Sequence, residues 1–192
     1  MQNIILASAS PRRKELLRQI GLTFDVWPAM GEEVMDTHVP REAVMRLSRG
    51  KMEEVLKRCD REEVLVLGAD TVVALEGAVM GKPADERQAR DMLQRIQGNT
   101  HQVYTGVALG MYRKGEKITS VFCQVTDVSV YPMDPREIDD YLALGEYKDK
   151  AGAYGIQGAF AAHIREIRGD YFNVVGLPVG RVWQEIKKMR KI

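Results

Sequence analysis

With 192 residues and a net charge of +1, the chain has the length of one domain or two tightly packed lobes and no bulk field to gather nucleic acid or a membrane surface. Its 45% hydrophobic and 29% charged residues are those of a soluble globular protein, and Cys59 and Cys123 form no CxxC pair, which excludes a zinc knuckle and leaves no disulfide framework. Unpaired thiols suit a reducing compartment, the short apolar N-terminus without a basic leader does not read as a signal peptide, and no run nears the ~18 apolar residues of a membrane span, so a cytoplasmic location is expected.

In chain order, Asn3 to Ala7 reads as a short buried strand. Ser10 then stands as N-cap and Pro11 as first residue of a helix carrying Leu16, Leu17 and Ile20 on one face, and Gly21 stops it. Pro40 opens a second helix to about Arg58, with Val44, Leu47, Val55 and Leu56 as its apolar stripe. Val64 to Leu75 is a long β-rich run broken by the polar pair Asp70-Thr71, followed by a Glu76-Gly77 turn and a Gly81-Lys82-Pro83 loop. Asp85 to Ile96 reads as a third helix. His101 to Tyr112 and Lys117 to Tyr131 alternate as two strands of a long hairpin around Lys114-Gly115. Asp134-Pro135-Arg136-Glu137 is a capping box that opens a helix to about Leu144. Ile156 to Arg168 and Tyr171 to Val175 are expected as strands, and Leu177 to Met189 as a terminal amphipathic helix. Early alternation and later hairpins predict an α/β fold with a mixed twisted β-sheet flanked by helices, forming a single domain over 1–192.

Several segments carry residues suited to anionic chemistry. Ser8-Ala9-Ser10-Pro11-Arg12-Arg13 joins a strand to a helix N-terminus, where free N–H groups, two hydroxyls and two guanidiniums make a phosphate cradle; the bland alternative is a capped surface helix with solvated arginines. Asp70 sits within an apolar run that continues on both sides, a costly place for a carboxylate unless it is paired or holds a metal. Gly68 and Ala69 leave room there for a ligand or another chain. Glu33, in the acidic pair Glu32-Glu33, would complete a hard-oxygen site with Asp70 for Mg²⁺ or Mn²⁺, although adjacent loop acids are usually just solvated. Helical spacing places Lys51 on the apolar stripe of the second helix, where it either snorkels outward or points into a cleft. Lys82 stands in a turn. In Asp149-Lys150-Ala151-Gly152-Ala153-Tyr154-Gly155-Ile156-Gln157-Gly158 three glycines signal close backbone approach, and the Gln157 amide offers a donor and an acceptor to a base edge. His38, His101 and His163 have no metal-ligand spacing.

Leu6-Ala7-Ser8-Ala9-Ser10-Pro11-Arg12-Arg13, Gly68-Ala69-Asp70-Thr71, Gly81-Lys82-Pro83, Thr105-Gly106-Val107, the Asp149–Gly158 segment and Val175-Gly176-Leu177-Pro178 together resemble the Maf family of nucleotide pyrophosphatases, also named septum formation inhibitors. The resemblance spans nearly the whole chain, with Ala9 in place of a frequent glycine. It implies a fold similar to that of inosine triphosphatase, with two lobes around a central cleft, a divalent metal cofactor, and a homodimer. It also implies that Asp70 is the proton acceptor and a metal ligand with Glu33, that Lys51 and Lys82 serve catalysis in the cleft, and that Arg12, Thr71 and Gln157 govern substrate choice. Ser8, Ser10 and Arg13 join them as substrate-binding positions. Gly68-Ala69-Asp70-Thr71 and Ile156-Gln157-Gly158 resemble the branch acting on dTTP and UTP, as against the branch acting on 7-methyl-GTP. The expected reaction is hydrolysis of a nucleoside triphosphate to monophosphate and pyrophosphate, with no membrane or stable nucleic-acid partner. The rival readings are a pyrophosphatase for other or modified nucleotides and a non-catalytic regulator of septum formation.

Overall fold

One strand organises the molecule, whose computed structural model describes residues 3–32 and 37–191. Strand β3 (Leu65–Leu75) is buried along almost its whole length and continues unbroken through Asp70-Thr71. One edge pairs antiparallel with β5 (Thr100–Arg113), from Val66 opposite Gly110 to Ala74 opposite Gln102. The other edge is shared. Its start pairs parallel with β1 (Ile4–Leu6), and its end pairs antiparallel with the short β4 (Ala78–Met80), reached through the Glu76-Gly77 turn. Between those two partners, among the described residues, no strand lies beside the edge from Gly68 to Val72. Strand β2 (Asp25–Val26) lies parallel outside β1, and β6 (Glu116–Val130) and β7 (Ile164–Arg168) extend the sheet beyond β5. The result is a seven-stranded mixed sheet, as the alternation of elements predicts.

Strand alternation sends successive residues to opposite faces, and each face finds its own cover. Ile5, Ala7, Val64 and Val66 pack against Met52, Val55 and Leu56 of helix α2 (Pro40–Arg58). Ile4, Leu6, Leu65, Leu67 and Val107 join the larger core with α1 (Pro11–Gln19), α3 (Glu86–Ile96), α4 (Pro135–Ala143) and α6 (Val179–Lys191). Helix α2 seats unusually close to the sheet. A Cβ on Gly68 or Gly106 would collide with the α2 backbone at Ser48 and Val44, and one on Gly110 would meet the Met52 sulfur. Gly106 stands directly opposite Asp70 in the β3–β5 ladder. The room foreseen at Gly68 is therefore filled by the protein's own helix.

Two expectations fail on the C-terminal side. Of Ile156 to Arg168 only Ile164–Arg168 is a strand; Ala159–His163 forms a 3-10 turn that buries Phe160 completely. Tyr171–Val175 is a helix, α5, because the Asp170 carboxylate accepts the Phe172 and Asn173 N–H groups at 2.8 and 3.3 Å and Gly176 closes the turn at φ +128°. The Asp134 capping box is present as expected. Among the described residues no helix is long and apolar enough to cross a membrane.

Candidate active site

The open stretch of the β3 edge is the floor of a cleft of about 1020 Å³. It is lined by the strand-to-helix turn Ala7–Arg13 with Val174–Gly176, by Pro28, Ala29 and the α2 residues Leu47 and Lys51, and by Gly81-Lys82 and residues of the crossover 146–158. Parallel pairing of β1 with β3 is what delivers the N-terminus of α1 to the carboxyl end of β1, the usual site for an anionic ligand in such sheets. The crossover is pinned to the Gly81 loop by a hydrogen bond from Gly152 N to Gly81 O at 3.1 Å. Gly152 has φ +70°, and a Cβ there would press on the Val73 side chain.

Asp70 and Thr71 are neighbours with opposite duties. Asp70, only 8% exposed, faces α2, where Lys51 Nζ donates to Oδ1 at 2.6 Å. The buried carboxylate is thus paired, as its surroundings demand. The glycines beneath α2 let this happen, since they bring the helix backbone onto the sheet and the lysine with it. Thr71 faces the other layer. Its hydroxyl accepts from Arg13 Nη2 at 3.1 Å and shares a 2.9 Å hydrogen bond with the Thr105 hydroxyl, with Gly176 O at 3.5 Å. Arg13 is buried and turned inward: its guanidinium also donates to Ser8 Oγ at 3.1 Å and to Gly176 O at 3.0 Å. Thr105 continues the network to the carbonyl of Asn173, whose amide donates to Val103 O and Thr126 Oγ1, both at 3.0 Å. Arg13, Ser8 and Thr71 therefore form an internally bonded network that makes up part of the cleft floor.

Arg12, Ser10, Lys82 and Gln157 stand on the surface of the cleft. Lys150, within the Asp149–Gly158 segment, and Lys148, which no pattern singles out, stand there too. Among the described residues six basic side chains line the cleft (Arg12, Arg13, Lys51, Lys82, Lys148, Lys150) against three carboxylates (Asp70, Glu146, Asp149), so a nearly neutral chain concentrates positive charge where an anion would sit. Burial, and then the Arg12 guanidinium, push the Lys150 ammonium below the ordinary lysine range. Under the crossover, Tyr154 and His101 share a 2.8 Å hydrogen bond between Oη and Nε2, and burial drives His101 from 6.5 to about 4, keeping it neutral. Glu33 lies outside the described residues. Among those described, no three His, Cys, Asp or Glu side chains converge as a metal cage. Among the described residues Asp70 is the one carboxylate on the cleft floor, beside the Lys51 ammonium.

Comparison with known proteins agrees with this picture. The family model described as "Maf-like protein" matches residues 3–189. A dTTP/UTP pyrophosphatase of Agathobacter rectalis is 51% identical, over 98% of this chain and 98% of that protein. Proteins of the same name from Clostridioides difficile and Lachnoclostridium phytofermentans are 46% and 43% identical, over 97% and 98% of this chain and 94% and 95% of theirs. A solved nucleoside-triphosphatase / dITP/XTP pyrophosphatase of Mycobacterium abscessus aligns over 74% of this chain and 94% of that one at 14% identity, with a TM-score of 0.40, too loose a match to argue from. With a match that runs almost from end to end, this chain belongs to the Maf-like protein family.

Proposed function

We propose that the protein is a nucleoside triphosphate pyrophosphatase that hydrolyses dTTP and UTP to the monophosphate and pyrophosphate. The observation that carries the reading is the Asp70–Lys51 pair, set at the unpaired stretch of β3 on the floor of a cation-lined cleft. Relatives up to 51% identical, matched over 94–98% of their length, bear the corresponding name. The triphosphate lies with its phosphates between the α1 N-terminus, Arg12 and Lys82, and its base toward Gln157. Lys51 holds one carboxylate oxygen of Asp70, which fixes the group as the acceptor for the proton of the attacking water. The water oxygen bonds to phosphorus as the α–β bridging bond breaks, and the electron pair leaves with pyrophosphate. Arg12, Lys82 and Lys51 stabilise the charge that develops there. Asp70, with Glu33, would hold a Mg²⁺ or Mn²⁺ ion, which would supply further charge neutralisation when bound. The enzyme acts as a cytoplasmic housekeeping homodimer.

The test follows pyrophosphate and monophosphate together across a panel of triphosphates, including 7-methyl-GTP, with Mg²⁺ or Mn²⁺. dTTP and UTP are expected to be preferred. Asp70→Asn is expected to lose on the order of 10²–10⁴-fold in turnover while its melting transition stays cooperative. A folded Asp70→Asn protein with full activity removes Asp70 from the reaction, and preference for 7-methyl-GTP replaces the substrate reading.

A further inference from the structure

Gln157 is exposed on the cleft and owes its place to what surrounds it. Both Glu146 carboxylate oxygens accept the Ala159 N–H, at 3.3 and 3.1 Å. That N–H is the first of the 3-10 turn Ala159–His163, whose own cap residue, Gly158, has no side chain to satisfy it. The same carboxylate occupies the place that a Cβ of Gly158 would take. Four residues further along the turn, the Lys150 ammonium donates to the Glu146 carbonyl, and the Lys150 stem lies 2.7 Å from where a Cβ of Gly155 would stand. Gln157 is therefore held between two glycines, each with a clamp residue filling the space of its missing side chain.

We infer that Glu146 is a specificity-determining positioning residue: its carboxylate fixes the Gly155–Ala159 turn so that the Gln157 amide meets the base of a bound nucleoside triphosphate. A solvated wall charge would have no reason to turn both oxygens onto one backbone N–H. Glu146 acts through Gln157, and no contact of its own with the nucleotide is required. This rests on the reading of the cleft as a triphosphate site.

A double-mutant cycle of Glu146→Ala and Gln157→Ala tests it, with kcat/KM measured on pyrimidine and purine triphosphates and each protein checked by melting. Each single variant is expected to lower the wild-type base preference about tenfold, and the double variant no further, because both remove the same contact. Effects that multiply in the double variant, or a loss equal for every base, overturn the inference. If Glu146→Ala fails to fold, the cycle is run with Glu146→Gln, which keeps an acceptor for the Ala159 N–H and is expected to show a smaller, still non-multiplying effect. Should the wild type prefer a purine, the cycle is read on that preference, so the pyrimidine assignment can fail while Glu146 keeps its role. A wild type that turns over no triphosphate removes both.

Discussion

The floor of the cleft and its crossover wall are built in opposite ways. On the floor, polar groups are bonded to one another: Lys51 to Asp70, and Arg13 to Ser8, Thr71 and Gly176, with Thr105 and Asn173 behind. On the wall, Gln157, Lys148 and Asp149 stand exposed on a backbone bent by positive φ at Gly145, Asp149, Gly152 and Ala153. In the proposed function the difference would separate two tasks. Chemistry common to every triphosphate would fall to a network in which any loss leaves a buried group unsatisfied, whereas choice of base would fall to Gln157, an exposed side chain on a crossover whose backbone is itself anchored to the core.

Arg13→Ala should draw that distinction most sharply. It removes a buried fork with three hydrogen bonds and is expected to cost about 3–4 kcal/mol in urea unfolding, with turnover lowered alike for every base. A loss confined to one base would dissolve the separation. Acid should act next, and from under the wall. His101 titrates near 4 in the folded protein, below its free value of 6.5, so it contributes nothing above pH 6.5. As pH falls through that value the unfolded chain takes up a proton that the native state refuses. Stability then declines by about 2 kcal/mol by pH 5 and levels off below pH 4. Urea midpoints at pH 7 and 5 should show this slope in the wild type and a flatter one in His101→Asn. The smallest effect belongs to Gln157→Glu, expected to weaken kcat/KM for dTTP and UTP by about 1–2 kcal/mol relative to other triphosphates while shifting stability by less than about 0.5 kcal/mol. An unchanged preference across the triphosphate panel would take base reading away from Gln157.

Much of this was legible in the sequence where a pattern repeats. Helix α2 begins and ends at the residues its periodicity indicates, the long hairpin turns at Lys114-Gly115, and the helical spacing of Lys51 does place it in the cleft. Strands β2 and β4, of two and three residues, are too short to show a period. Tyr171–Val175 looked like a strand because its residues favour one, yet Asp170 before it and Gly176 after it were the signal for a capped helix. Asp70 and Thr71 looked like two residues of one site, but alternation along β3 sends them to opposite faces. Arg12 and Arg13 are likewise neighbours, and about 100° of helical rotation lies between them; one stands half-exposed on the cleft wall and the other is buried in its floor, bonded to the protein's own groups. Clamps such as Glu146 and Lys150 act across loop geometry that no spacing rule encodes.

The close seat of α2 on Gly68, Gly106 and Gly110 has a bearing on how such an enzyme can diversify. Because main chain rests on main chain, the ammonium-to-carboxylate separation is a property of two rigid elements rather than of adjustable packing. A single methyl group at Gly68 or Gly106 would meet the α2 backbone and disturb that separation, whereas one at Gly110 would meet only the movable ends of Met52 and Leu56. New substrate preferences can therefore accumulate in the crossover while the hydrolytic apparatus stays as it was inherited.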